Sequence, residues 1–261
     1  MSPDRSQSAY AASAAALALR ALEALRGTEG TALVTRHVEE ADDAKAALAA
    51  IRVVGADLFA PCLLANASFH PEDAAAVAQS FVVFPPPVNA LAPPPTGAAE
   101  PWITAWRDWA TATLLAHRTG TRTDGIRAPR PAASPADLGL ADSAAPAPAP
   151  VPGGPGADWQ RWSVRMGQLS PLALPGLEGP VHAAARAAPL ALARGATRAV
   201  LRRDFPTAMR ITRWLALLSS EGVRLPLDPV PLVEHLRLHG GGPRLALDAA
   251  IARRVLGLEI S

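Results

Sequence analysis

Cys62 is the only cysteine in 261 residues, so no disulfide can form within the chain and a disulfide-stapled secreted design is excluded. A cytoplasmic location is the expectation that follows. Lysine is equally scarce: Lys45 stands alone against 24 arginines, a bias that a GC-rich genome produces as readily as a need for guanidinium chemistry. Aromatic residues make up 5% of the chain, which argues against sheets, because strands draw on aromatic and β-branched side chains. No stretch reaches the roughly 18 uncharged apolar residues of a membrane-crossing helix. Arg20 and Glu23 interrupt the alanine-rich start before a signal-peptide core can form. No repeat recurs at a fixed period, which removes the main support for a solenoid.

What is present is alanine in abundance and a hydrophobic content of 49%, enough for a sizeable core built from closely packed helices. The clearest run extends from Asp204 to Gly257. Asp204-Phe205-Pro206 opens a helix, since proline in the first turn gives up an amide that has no partner there anyway. Met209, Trp214 and Leu217 supply its apolar stripe. Asp228-Pro229 opens a second helix, stopped by Gly240-Gly241-Gly242. Pro243 allows a third, with Leu247, Ile251 and Val255 at helical spacing and Gly257 at its end.

Upstream, helices are predicted over residues 8–26, from about Thr35 to Ile51, after His70-Pro71, and over 100–117. The second of these carries Glu39, Glu40, Asp42 and Asp43 in its first turns, where carboxylates favour the positive end of the dipole. Ser80 to Phe84 reads as the tail of the helix after Pro71, because a lone strand would lack a partner. Helices are also expected over 181–188 and 196–203, with Pro189 either kinking the first or starting the next. Between Pro129 and Pro155 stand eight prolines among alanine and glycine, a composition too poor in large apolar groups to offset its ordering entropy. The expected organisation is all-α: an N-terminal helical domain over 1–118, a Pro/Ala/Gly-rich linker over 119–157, and a compact C-terminal unit of three to five helices over 158–261.

The formal charge of +2 conceals an asymmetry: residues 1–100 carry 6 basic and 11 acidic side chains, residues 158–261 carry 14 and 8. Opposite charge can dock the two parts or draw an acidic partner to the basic one. Candidate chemistry is sparse. His37, Glu40 and Asp43 share a helical edge, but a solvated acidic turn explains them, and their order reverses the Glu-x-x-His pairing of carboxylate-bridged metal bundles. His70 beside Glu72 and Asp73 is explained by helix capping. Cys62 lies among apolar residues with no nearby cation to activate it. Gly240-Gly241-Gly242 has neither a preceding strand nor a following Gly-Lys-Ser/Thr, so it is not a phosphate loop.

Two sets remain. Trp102, Trp106 and Trp109 fall on one helical face, where core packing is expected and stacking on a ligand is the alternative, with Arg107 and Asp108 facing solvent. Arg198, Arg202, Arg203, Arg210 and Arg213 form the densest basic run, with 198/202 and 210/213 sharing faces. Guanidinium forks suit carboxylates and phosphates. The third C-terminal helix opens Leu245-Ala246-Leu247-Asp248 where a recognition helix needs base-reading polar side chains, so sequence-specific DNA binding is not expected. No metal or cofactor is expected. The resulting expectation is a non-catalytic interaction protein that meets an acidic protein surface through the five arginines; the alternative is an enzyme or small-molecule binder using the tryptophans and the arginine cluster.

Overall fold

The computed structural model describes residues 3–27, 32–87, 99–120 and 158–259. Its helices are α1 (Pro3–Arg26), α2 (Leu33–Glu39), α3 (Ala44–Val54), α4 (Ala60–Leu64), α5 (Pro71–Val83), α6 (Ala99–Thr119), α7 (Asp158–Gln168), α8 (Pro180–Ala187), α9 (Pro189–Leu201), α10 (Phe205–Ser220), α11 (Pro229–Arg237) and α12 (Gly242–Val255). Short 3₁₀ turns at Gly55–Phe59 and Ser170–Leu172 complete them, and no strand occurs among the described residues. The fold is all-α.

Proline and capping side chains set most helix starts. The Asp204 carboxylate accepts from the Thr207 amide at 3.1 Å and that of Asp228 from the Val230 amide at 2.9 Å, each just before a first-turn proline. His70 caps α5 in the same way through Nδ1. α5 continues to Val83, so 80–83 are helix, and Pro189 starts a new helix instead of kinking the old one. The single helix expected from Thr35 to Ile51 is in fact two. Asp43 accepts from the Ala46 amide at 3.0 Å and begins α3, so the acidic run ends α2 and forms the connecting loop. A short carboxylate that bonds the backbone locally competes with continued helix, which is why the chain breaks there.

The halves on either side of residues 121–157, the part of the expected linker outside the described residues, share one core. It joins Leu17, Ile51, Phe59, Trp102 and Trp106 to Trp162, Leu174, Trp214 and Ile251. α1 packs along α12, and α6 against the turn at Ser170–Leu172. At the centre stands α10, packed on α7, α9, α11 and α12. From Ala208 to Leu218 every residue but Arg210 is buried, the condition of a helix surrounded on all sides. Trp214 is fully buried and its indole Nε1 donates to the Met166 carbonyl at 2.7 Å. A smaller cluster of Met209, Val233, Leu236 and Leu245 seals α11 and α12 against it.

The run Ala44–Leu64 is, among the described residues, the one long and apolar enough to cross a membrane by length and composition. It lies 72% buried in this core and is not one helix: it bends at Gly55, whose φ of 63° favours glycine. An added Cβ there would stand 3.2 Å from the Thr111 hydroxyl. The bend turns the chain so that Asp57 enters the interior.

Candidate functional site

Asp57 has no exposed side-chain surface, and neither does Arg213 on α10, 156 positions away. The two pair in a fork: Arg213 Nη2 donates to Asp57 Oδ1 at 2.6 Å and Nη1 to Oδ2 at 3.0 Å. Arg213 Nη1 also donates to Asp248 Oδ1 on α12 at 2.6 Å. Arg244, one turn before Asp248, bonds both carboxylates. Burial alone would raise the Asp57 carboxyl, but the Arg213 and Arg244 charges outweigh it and hold the group below the ordinary carboxylate range. Burial likewise opposes the Arg213 charge, and Asp57 and Asp248 reverse the effect and raise it. A desolvated charge persists only with such partners. The cluster therefore ties the acidic N-terminal half to the basic C-terminal half.

That placement corrects the expectation for Arg213, which belongs to the interior and not to a binding face. Arg210 sits three residues earlier, with its side chain 38% exposed and its nearest carboxylate oxygen, on Asp248, 3.9 Å away. It lines a cleft between the halves together with Arg107 and Arg244. Arg198 and Arg202 lie elsewhere, in a groove of about 510 Å³ between α7, α9 and α10 that Arg161 and Arg165 also line. Arg203 is exposed in the α9–α10 turn. The five arginines thus divide among four places: the interior, the cleft, the groove and the α9–α10 turn.

Local sequence shapes the groove. Gly195 lets α9 approach α7 so closely that an added Cβ would stand 2.4 Å from the Ser163 Cβ. Among the described residues none of Arg161, Arg165, Arg198 and Arg202 is ion-paired. The one carboxylate lining the groove, Asp204, already caps α10. After Arg202, Arg203 adopts φ 59°, a left-handed conformation usually given to glycine at a helix end.

The remaining candidates are structural. Trp102 and Trp106 are fully buried, and Trp109 is half-buried against the core. Edge-to-face contacts at 6.3 and 5.3 Å link the three rings, so they form a core seam with no open stacking platform. Asp108 is buried too and does not face solvent: Arg52 holds it, Nε to Oδ1 at 3.0 Å. Arg107 reaches across to the Val53 carbonyl. His37 is buried, shares a 2.9 Å hydrogen bond with the Ser13 hydroxyl, and is pushed below its ordinary value by burial and by Arg20. Glu40 pairs with Arg20 and Asp43 caps α3, and among the described residues no group of three ligating side chains is placed to hold a metal. Burial pushes the Cys62 thiol up, away from reactivity. His182 was not singled out by sequence: it is buried, bonds the Leu172 carbonyl at 2.9 Å through Nε2, and meets Trp214 edge-on at 5.3 Å.

What the geometry defines, among the described residues, is an all-helical protein with a buried ion cluster around Arg213 and separate arginine-lined surfaces. No protein-family model, no curated protein and no solved structure matches the chain.

Proposed function

We propose that the protein is a non-catalytic interaction protein whose groove between α7, α9 and α10 takes an acidic segment of a protein partner. The observation that carries this reading is the set of four groove-lining guanidiniums, Arg161, Arg165, Arg198 and Arg202, left without an ion pair among the described residues. Four like charges facing a single carboxylate, Asp204, that already caps α10 raise each other's energy, and a string of carboxylates relieves all of them together. Apolar surface in the groove adds contact area: Val164, which lines it, is 47% exposed. Burial of Leu245, Leu247 and Asp248 at the start of α12 supports leaving sequence-specific DNA recognition aside. The single cysteine, buried and unactivated, accords with the cytoplasm as the place of action.

A fluorescent glutamate-rich peptide tests the proposal by anisotropy at low and high salt. The double change Arg198→Glu with Arg202→Glu is expected to weaken binding by about tenfold or more at low salt, and the difference should shrink as salt screens exposed charges. Thermal melting should stay as in the wild type, since both side chains lie outside the core. Equal peptide affinity at low salt would reject the groove. Preference for duplex DNA over the peptide would transfer it to a nucleic-acid backbone instead.

A further inference from the structure

Between the two halves, on the solvent side of the Asp57–Arg213–Asp248 cluster, lies a cleft of about 290 Å³. Arg107 from α6, Arg210 from α10 and Arg244 from α12 line it, with Ser170 and, at an exposed edge, Glu100. Their charge is not balanced. Asp57 and Asp248 are already engaged by Arg213 and Arg244, and Asp108, near Arg107, is engaged by Arg52. Arg210 makes no hydrogen bond within this set. Arg107 spends one donor on the Val53 carbonyl while its buried Nε has no partner. Burial first, and then the nearby Arg244 charge, pull the Arg107 guanidinium down to about 10, against the opposing pull of Asp57 and Asp108. Ser170 is 1% exposed, and its hydroxyl has no hydrogen-bond partner. A buried hydroxyl left unmatched costs stability unless something else accepts or donates there.

We infer that this cleft is a binding site for a phosphate-sized oxyanion, gripped by Arg107, Arg210 and Arg244 with the Ser170 hydroxyl as a further donor. The ligand is a phosphate group, free or carried on a small molecule, because guanidiniums from three helices converge on the cleft with donors to spare: Arg210 has its whole fork, Arg107 keeps Nε and Nη1, and Arg244, bonded to Asp57 and Asp248 through Nε and Nη2, keeps Nη1. The site is distinct from the groove that carries Arg198 and Arg202, and it does not depend on the peptide-binding proposal. Its occupation would bridge α6 of the first half to α10 and α12 of the second.

Inorganic phosphate and pyrophosphate are the probes, titrated into the full chain at constant ionic strength with sodium chloride as the control, and read by thermal shift and calorimetry. The expected result is saturable stabilisation by one or both anions and none by chloride. Binding of inorganic phosphate identifies a free-anion site; a preference for pyrophosphate points to a phosphorylated small molecule. Arg210→Gln should weaken binding roughly tenfold, as loss of a charge-assisted contact does. The same change should leave the ligand-free melt nearly unchanged, because the loss of the long, part-exposed contact to Asp248 at 3.9 Å is offset by the loss of a like charge beside Arg244 and Arg107. Ser170→Ala should weaken binding several-fold in a protein at least as stable as the wild type, since it removes an unmatched buried hydroxyl, whereas Arg202→Gln should not affect binding. The inference is overturned if neither anion binds saturably to the wild type, or if Arg210→Gln binds within about twofold of it.

Discussion

Arg213 on α10 and Arg202, the residue that ends α9, lie 11 positions apart with identical chemistry and opposite surroundings. Arg213 is sealed between two carboxylates inside the molecule; Arg202 borders an open groove without a counter-ion. The same guanidinium is thus a structural tie in one region and an available cation in the other. The density of arginine along a sequence therefore does not measure how much positive surface a protein shows.

The largest expected effect falls on the buried side. Arg213→Ala leaves Asp57 and Asp248 desolvated and only partly matched, so it should cost about 3–5 kcal/mol in urea unfolding. Arg202→Ala should leave the curve unmoved. Equal effects of the two changes would erase the contrast between the regions. Trp214→Ala, which empties a fully buried site and frees the Met166 carbonyl, should cost roughly 3–5 kcal/mol.

Gly195→Ala sharpens the exposed side. A Cβ placed 2.4 Å from the Ser163 Cβ must force α9 and α7 apart at a cost of about 1–3 kcal/mol, and the groove should lose peptide affinity with it. If stability fell while affinity stayed intact, groove shape would not matter and charge alone would carry binding.

Smaller still is the effect of pH. His37 and His182 are both lowered from 6.5, chiefly by burial. The unfolded chain then binds protons at a pH where the fold does not, so stability is level above 6.5 and declines as pH falls through it. Melting temperatures between pH 8 and pH 5 should show this decline, and His182→Gln should reduce it. The smallest expected effect is Arg203→Gly, which should raise stability by about 1 kcal/mol by relieving the left-handed backbone. Such a gain accompanied by weaker peptide binding would mark the turn as strained in favour of contact.

Helix starts were legible because proline and aspartate act locally: Asp204, His70 and Asp228 cap where their sequence placed them. The break before α3 was missed because Asp43 serves equally well as a first-turn carboxylate and as a cap. Arg213 was misread for a different reason. Its i−3 neighbour Arg210 suggested a shared polar face, yet the residues that follow it along α10, from Trp214 to Leu218, are all apolar and buried. An arginine inside such a helix must be buried and must find carboxylates. A matching signal lay at Asp57, alone within the apolar stretch from Val53 to Leu64. Pairing across 156 positions is a tertiary fact that no local period contains. The cleft at Arg107, Arg210 and Arg244 was hidden likewise, since its three arginines come from three separate segments.

The most direct test of the buried tie is a double-mutant cycle between Asp57→Asn and Arg213→Met, measured by urea unfolding of the full chain. Asp57 and Arg213 in direct contact should give a coupling of about 2–3 kcal/mol, with the double variant much less destabilised than the sum of the single ones. Additivity within about 0.5 kcal/mol would contradict it, because residues that do not touch behave that way.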